Sequence, residues 1–232
     1  MILCPSPNFD QRPADVPVDM LVLHYTGMPD RDRALARLLD PAAEVSAHYL
    51  IDEDGTCYRL VGEDFRAWHA GRSAWRGFGN VNARSVGIEL VNPGHEFGYR
   101  PFPDRQMAAL IDLAQGILRR HPIPPRNVVG HSDVAPRRKE DPGEFFNWKA
   151  LAEQGIGVWP TVSGNSLPAG TVDDWRDLLA AWGYDIVDQP GESGEAGRAA
   201  LVAFQRHFRP ARFDGVADAE TIRTLRALPG ML

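Results

Sequence analysis

The sequence predicts an α/β protein with a mixed central sheet flanked by helices, followed by a small all-α domain of three helices. Short apolar runs of strand length recur along the first part of the chain, and stretches with helical spacing of apolar residues lie between them. A stretch rich in glycine, proline and serine then precedes a tail whose apolar residues recur at helical spacing throughout. We therefore expect a first domain over 1–158, a linker over 159–170 and a helical domain over 171–232.

Four stretches of the first domain have strand patterns. The segment 19–26 is almost continuously apolar, which indicates a buried strand. The segment 47–61 has two apolar runs around an Asp-Gly dipeptide, which favours a hairpin turn. Shorter apolar runs predict two further strands, over 84–92 and 126–131.

Two helices are predicted in the same domain. The segment 104–121 carries an apolar stripe at helical spacing, with Asp104 placed to cap its start and basic residues at its end. The stripe consists of Met107, Leu110, Ile111, Ala114, Ile117 and Leu118. A shorter helix is predicted over 30–40.

The tail contains three apolar stripes, each typical of one short helix. The first helix can be capped by Thr171 or Asp173 and ended by Gly183. The stripes consist of Trp175, Leu178, Leu179 and Trp182; of Leu201, Phe204 and Phe208; and of Ile222, Leu225 and Leu228. Three such helices would form a small bundle able to fold by itself.

Charge and composition exclude several classes of function. A net charge of -6 argues against a nucleic-acid binder and does not suit an anionic membrane surface. The two cysteines, Cys4 and Cys57, do not indicate a disulfide framework. Neither a secretory signal nor a transmembrane run is recognisable, so we expect a cytoplasmic protein with no membrane span; a trimmed N-terminus would instead fit the periplasm.

Two of the seven histidines stand where functional sites collect. His24 and His131 each end an apolar strand pattern, and sites of open α/β folds lie at such strand ends. Catalytic zinc takes three protein ligands, and Asp141 could complete the set with these two histidines. The alternative is that each is an ordinary core or surface residue, because the spacing matches no short zinc motif. That ordinary interpretation is favoured for His48, His95, His121 and His207.

Two charged residues fit the same site. Glu89 lies within an apolar strand pattern, where a carboxylate is costly unless it is paired or used. It could serve as a general base, or it could face solvent on an alternating strand. Lys139 could stabilise an oxyanion, or it could be one more solvated charge in a charged loop.

Five segments together resemble a known family, the zinc-dependent N-acetylmuramoyl-L-alanine amidases of the type 2 group, which are related in fold to peptidoglycan recognition proteins. The resemblance covers nearly all of 1–158, in the family's order, and the tail resembles the three-helix peptidoglycan-binding domain of wall hydrolases. The segments are "LVLHYTG", "SAHYLIDEDG", "AWHAGRSAWRG", "NARSVGIELVN" and "GHSDVAPRRKEDPG".

The resemblance implies roles for individual residues. His24, His131 and Asp141 match the Zn²⁺ ligands, Glu89 the catalytic glutamate, and Lys139 the lysine before "DPG". The positions that match the groove for the sugar and peptide are Trp68, His69 and Asn82, with Arg72 as a plausible neighbour.

The implied reaction is hydrolysis of the amide between N-acetylmuramic acid, or its 1,6-anhydro form, and L-alanine of the stem peptide, in cell-wall recycling. The substrate is then a muropeptide or peptidoglycan, and no obligate protein partner is expected. Three alternatives stay open: an envelope amidase acting on polymeric murein, a peptidoglycan-binding or sensing protein without turnover, and a zinc peptidase that cuts within the stem peptide.

Overall fold

The computed structural model describes residues 1–162 and 175–228. Its strands are β1 (Ile2–Leu3), β2 (Phe9–Gln11), β3 (Met20–Tyr25), β4 (Tyr49–Ile51), β5 (Cys57–Arg59), β6 (Phe65–Ala67), β7 (Ala74–Trp75), β8 (Phe78–Gly79), β9 (Ser85–Leu90) and β10 (Val128–Gly130). Its α-helices are α1 (Arg31–Leu39), α2 (Val81–Arg84), α3 (Gly94–Phe97), α4 (Asp104–Arg120), α5 (His131–Val134), α6 (Trp148–Glu153), α7 (Trp175–Trp182), α8 (Glu195–Phe208) and α9 (Ala219–Ala227). Two short 3-10 helices span Pro41–Ala43 and Pro125–Asn127.

A six-stranded sheet forms the centre of the first domain, in the order β1-β5-β4-β9-β3-β10. The β4–β5 pair is antiparallel and the other four neighbouring pairs are parallel, which confirms the predicted mixed sheet. The predicted hairpin is β4–β5, and Gly55 in its turn has a φ of 88°, a conformation that glycine adopts without strain. The four predicted strand segments contain β3, β4 with β5, β9 and β10.

The two helices predicted for the first domain are α1 and α4. Asp30 caps α1, since its side chain accepts a hydrogen bond from the Arg33 amide. The capping role predicted for Asp104 is wrong: the extended Pro103 is the N-cap, and Asp104 is already the first helical residue. The Asp104 carboxylate still favours the positive end of the helix dipole.

Alternate residues of the central strands pack on different layers. Leu21, Leu23 and Ile88 share an apolar cluster with Leu110 and Ile117 of α4 on one side of the sheet. The opposite side is covered partly by α1 and partly by the helices of the tail. This alternation follows from the two-residue period of a strand.

The three helices of the tail are α7, α8 and α9, and they form the predicted bundle. Most of the predicted stripe residues are buried, while Trp175 and Leu178 are half-buried. Gly183 follows α7 as predicted, whereas the proposed caps Thr171 and Asp173 and most of the predicted linker lie outside the described residues.

The bundle and the first domain share one apolar core. Trp75 and Val134 of the first domain belong to the same buried cluster as Leu179, Tyr184 and Phe204 of the tail. The amide of Arg76 also donates to the carbonyl of Gly183, at 2.8 Å. The tail is therefore packed directly against the first domain.

Cys4 and Cys57 are both free thiols. Among the helices of residues 1–162 and 175–228, none is both long enough and apolar enough to cross a bilayer.

Candidate active site

Sheet topology brings the two predicted histidine ligands together. β3 and β10 are parallel neighbours with Leu23 opposite Gly130, so the residues that follow each of these, His24 and His131, lie side by side at the carboxyl edge of the sheet. Asp141 reaches the same point from the loop after α5, where its backbone carbonyl accepts a hydrogen bond from the Ser132 amide at 2.9 Å. All three ligand candidates are buried.

The donor atoms of this group form a nearly equilateral triangle. His24 Nδ1, His131 Nδ1 and Asp141 Oδ2 are each 3.0 Å from the other two. Three donors bound to one tetrahedral zinc at usual bond lengths would be ~3.3 Å apart. The spacing and the chemistry of the donors thus fit a metal, and within residues 1–162 and 175–228 these three residues form a group that could hold one.

Hydrogen bonds on the far side of each imidazole leave its Nδ1 free for a metal. His131 Nε2 lies 3.1 Å from the carbonyl oxygen of Ala70, which can only accept, so the proton is on Nε2. For His24 the partner is His69: His24 Nε2 is 3.0 Å from His69 Nδ1, and His69 Nε2 is 3.0 Å from Ser85 Oγ. The Ser85 hydroxyl donates to the Val81 carbonyl at 2.8 Å.

The Ser85 hydroxyl determines which atom is the donor in each of the hydrogen bonds between His24, His69 and Ser85. Because the Ser85 hydroxyl uses its proton on Val81, its oxygen accepts from His69 Nε2–H. His69 Nδ1 is then an acceptor for His24 Nε2–H, and His24 Nδ1 carries a lone pair. Two imidazole lone pairs and a carboxylate facing one point repel each other, and a cation at that point removes the repulsion.

The ionisation of the group suits metal binding. Burial and the neighbouring His131 lower the pKa of His24 to about 4, so His24 is neutral at pH 7. Burial acts to raise the pKa of Asp141, but in the metal-free site a proton shared with the His131 or His24 ring holds it well below its usual range. Neutral imidazoles and an ionised carboxylate are the forms that ligate metals.

Glu89 stands beside His24 on the neighbouring parallel strand, paired with it in register. Its side chain lines the same cleft as His131 and Asp141, and its Oε2 is buried with no hydrogen-bond partner among the described residues. Burial and the charge of Asp141 raise the pKa of Glu89 well above its usual value, against the opposing charge of Lys139. A carboxylate with a raised pKa and a free oxygen can exchange a proton.

Lys139 also lines the cleft and is half-buried. Among the residues that the structure describes, its ammonium has no hydrogen bond or ion pair, unlike its neighbours Arg137 and Arg138. The cleft has a volume of about 390 Å³, which is enough for part of a small ligand.

The four predicted substrate residues occupy different places. Trp68 lines the cleft and is half-buried. His69 also borders the cleft, but it is buried and its ring supports His24. The Asn82 side chain accepts hydrogen bonds from the backbone amides of His69 and Ala70 and so holds that segment in place. Arg72 is exposed. Neither Asn82 nor Arg72 lines the cleft.

Ser85, Gly87 and Arg12 support the site and were not among the residues predicted from the sequence. Ser85 and Gly87 alternate with Glu89 along β9 and face the same side, a signal that was present in the strand pattern. A Cβ at Gly87 would lie 2.5 Å from His69 Cγ, so only glycine leaves room for the ring. Arg12 is the other unforeseen residue: its guanidinium donates to the carbonyls of Glu63, Asn82, Ala83 and Ser85.

Comparison with known proteins gives consistent family assignments. A family model described as N-acetylmuramoyl-L-alanine amidase matches residues 14–144, and a model of a peptidoglycan-binding-type domain matches residues 170–225. The chain is 42% identical over 231 residues to the N-acetylmuramoyl-L-alanine amidase AmiD of Escherichia coli, covering 91% of this chain and 82% of that protein. It is 35% identical to the 1,6-anhydro-N-acetylmuramyl-L-alanine amidase AmpD of Haemophilus influenzae, over 62% of this chain and 86% of the relative.

Solved structures agree with these sequence matches. The complex of Escherichia coli AmiD with anhydro-N-acetylmuramic acid-L-Ala-D-gamma-Glu-L-Lys superposes with a TM-score of 0.82 and 41% identity, covering 95% of this chain and 92% of that one. AmpDH3 of Pseudomonas aeruginosa in complex with anhydromuramic pentapeptide gives a TM-score of 0.78 and 36% identity, covering 95% of each chain. This chain therefore belongs to the N-acetylmuramoyl-L-alanine amidase family.

Proposed function

We propose that this protein hydrolyses the amide between N-acetylmuramic acid, in its 1,6-anhydro form, and the L-alanine of a stem peptide, in cell-wall recycling. The observation that carries the proposal is the buried triangle of His24, His131 and Asp141 with Glu89 beside it, whose Oε2 has no hydrogen-bond partner in the described part of the chain. The anhydro-muropeptides present in the AmiD and AmpDH3 complexes support this choice of substrate.

In this proposal, the residues that would hold Zn²⁺ are His24, His131 and Asp141, through His24 Nδ1, His131 Nδ1 and Asp141 Oδ2. Bound zinc would polarise the scissile carbonyl and make a water molecule more acidic at neutral pH. His24 Nε2–H donates to His69 Nδ1 and His131 Nε2–H donates to the Ala70 carbonyl, so both Nδ1 atoms are unprotonated and would be free to bind the metal.

Glu89 then acts as general base and general acid. Its buried oxygen accepts a proton from the attacking water, and the same carboxyl group later delivers the proton to the departing amine of L-alanine. The raised pKa of Glu89 favours both steps, because a carboxyl with an ordinary pKa would return the proton poorly.

Lys139 meets the charge that develops on the carbonyl oxygen. Its ammonium lines the cleft near Glu89 and Asp141 and has no partner among the described residues, so it is available to an oxyanion. In the same cleft, the indole of Trp68 offers an apolar surface for the sugar or peptide.

A second substrate is favoured by the tail. Because residues 170–225 match a peptidoglycan-binding-type domain, polymeric murein is the alternative substrate. Initial rates on a purified anhydro-muropeptide and on murein sacculi decide between them. A higher specificity constant on the soluble substrate supports recycling, and release of stem peptides only from sacculi supports the envelope alternative.

The reaction itself is tested by mass analysis of the products. Zinc-loaded protein is expected to convert the anhydro-muropeptide to free anhydro sugar and intact stem peptide, and a chelator is expected to stop the conversion. Fragments cut within the peptide would show a peptidase, and binding without any cleavage would show a sensor. The expected cytoplasmic location is a separate proposal, tested by fractionating cells that express the native gene.

A further inference from the structure

The segment between two of the proposed metal ligands is held by the helical tail. This segment, residues 131–141, is called the ligand loop here; it begins at His131, ends at Asp141 and contains Lys139. Three groups of polar contacts join the ligand loop to residues of the tail.

The first group is centred on Asp133, which is 1% exposed. Its carboxylate accepts three hydrogen bonds: from the Gly130 amide at 2.7 Å, from the Tyr184 hydroxyl at 2.6 Å and from His207 Nδ1 at 2.8 Å. Two of the three donors belong to the tail. A buried carboxylate is costly when a donor is missing, so the orientation of α5 depends on Tyr184 and His207.

His207 is itself fixed by packing against the first domain. Its ring is stacked on Trp148 of α6, with ring centroids 3.8 Å apart and planes 15° from parallel. The donor nitrogen is therefore presented to Asp133 in one orientation. Because Asp133 lies two residues after His131 in a four-residue helix, a shift of its carboxylate also shifts the ligand.

The second and third groups hold the remainder of the ligand loop. Arg137 donates to the Glu192 carboxylate at 2.7 Å and to the Val187 carbonyl at 2.8 Å. Arg206 of α8 donates to the carboxylate of Glu140, the residue before Asp141, at 3.4 Å.

The neighbouring arginine holds the loop to the first domain. Arg138 donates to the carbonyl of Ala70 at 3.1 Å, and that carbonyl also accepts from His131. Adjacent arginines thus anchor the loop in opposite directions, Arg137 to the tail and Arg138 to the segment beneath His131.

We propose that the helical tail has a second function besides any binding of peptidoglycan: Tyr184, Glu192 and His207 are positioning residues that hold the ligand loop in its metal-binding geometry. This inference rests on the proposed roles of His131 and Asp141. It predicts that removing these contacts lowers metal affinity without removing any ligand, since groups that orient ligands contribute strongly to metal binding.

The experiment measures zinc affinity of the full chain by competition with a chromophoric chelator. Tyr184→Phe and His207→Phe each remove one donor to Asp133 and keep the ring, and each is expected to lower the affinity about tenfold. His207→Asn can place an amide near the position of Nδ1 and is expected to recover most of the loss. Glu192→Gln, which weakens an exposed ion pair, is expected to lower the affinity about twofold.

Thr221→Val is the matched control. It also removes one buried hydroxyl from the tail. The Thr221 hydroxyl bonds Gln205, Arg209 and Asp218, and among the described residues it makes no hydrogen bond to the ligand loop. We expect a lower melting temperature of the metal-free protein and an unchanged zinc affinity. Should Tyr184→Phe not fold, His207→Phe and Glu192→Gln still decide the question.

Two results would overturn the proposal alone: wild-type zinc affinity in both phenylalanine variants, or an equal loss of affinity in Thr221→Val, which would show a general effect of stability. If the wild-type protein binds no zinc, or if His24→Ala binds it as tightly as wild type, the proposed metal site fails and this inference fails with it.

Discussion

The two sides of strand β9 have opposite characters although they share one backbone. On the core face, Val86, Ile88 and Leu90 are fully buried among apolar side chains of the α4 layer. On the site face, the Ser85 hydroxyl bonds His69, Gly87 leaves room for the His69 ring, and Glu89 lines the cleft. The core-face residues require only apolar packing. On the site face, Ser85 requires a hydrogen bond, Gly87 the absence of a side chain, and Glu89 a charge.

The two faces of β9 contribute to different properties of the protein. Burial on the core face gains free energy from any apolar residue of suitable volume. Around the site face, Glu89 Oε2 has no hydrogen-bond partner among the described residues, and His24, His69 and His131 are buried, which costs free energy. Substitutions on the two faces should therefore change different measured quantities.

The largest expected effect comes from Glu89→Gln on the site face. We expect kcat to fall about a thousandfold, because a general base is lost, while the free energy of unfolding stays the same or increases. Glu96→Gln, at an exposed glutamate, is the control and should leave both quantities unchanged. Near-normal turnover in Glu89→Gln would remove Glu89 from the mechanism.

The opposite result is expected on the core face. Ile88→Ala should lower the free energy of unfolding by about 3 kcal/mol, since a fully buried side chain leaves a cavity. Denaturant titration measures the loss, and kcat of the folded protein should change by less than about threefold. A loss of kcat as large as that in Glu89→Gln would show that the two faces are not separable.

The next effect concerns how the free energy of unfolding depends on pH through His48. Burial and the charge of Arg12 lower the pKa of His48 to about 3, and the Gly87 amide donates to its Nδ1 at 2.9 Å. The unfolded chain takes up this proton below pH 6.5 and the folded protein does not, so stability decreases as the pH falls from 6.5 towards 3. In metal-free His48→Asn the slope should be shallower by about 1.4 kcal/mol per pH unit. Parallel slopes in the two proteins would show that His48 is protonated in the folded state.

The smallest effect is expected from Gly87→Ala. The added methyl group would press on the His69 ring and displace the partner of His24, so zinc affinity should fall about tenfold. Gly79→Ala in β8 is the matched control, because its new methyl group would come no closer than 3.9 Å to the nearest atom, Ser73 O. Equal zinc affinities in the two variants would mean that His69 does not orient His24.

The sequence was sufficient for much of the fold and for the members of the candidate site. Apolar runs and helical stripes located β3, β9, α1 and α4 because burial of one face leaves a period in the sequence. The same patterns placed His24 and His131 at strand ends and made Asp141, Glu89 and Lys139 candidates. The family resemblance then implied roles for all five residues. The amidase family predicted from these segments is confirmed by the comparisons.

Two details of single elements were not predicted correctly or fully from local sequence patterns: the N-cap of α4 and the orientation of Glu89. They placed Asp104 at the cap of α4, although the neighbouring proline takes that position. They left open whether Glu89 faces solvent, because alternation along a strand does not say which face is covered. Packing of α1 and of the ligand loop decides this, and it places the Glu89 side chain in a cleft.

Patterns of residues close along the chain were thus enough to locate the main strands and helices, the helical tail and the two candidate histidine ligands at strand ends. What orients these ligands depends on contacts that form only in the folded protein: Ser85 and His69 behind His24, the Ala70 carbonyl behind His131, and the tail residues Tyr184 and His207 on Asp133. Those contacts join residues up to 74 positions apart. A hydrogen bond between residues so far apart leaves no periodic pattern in the sequence, because its donor and acceptor come together only when the chain folds.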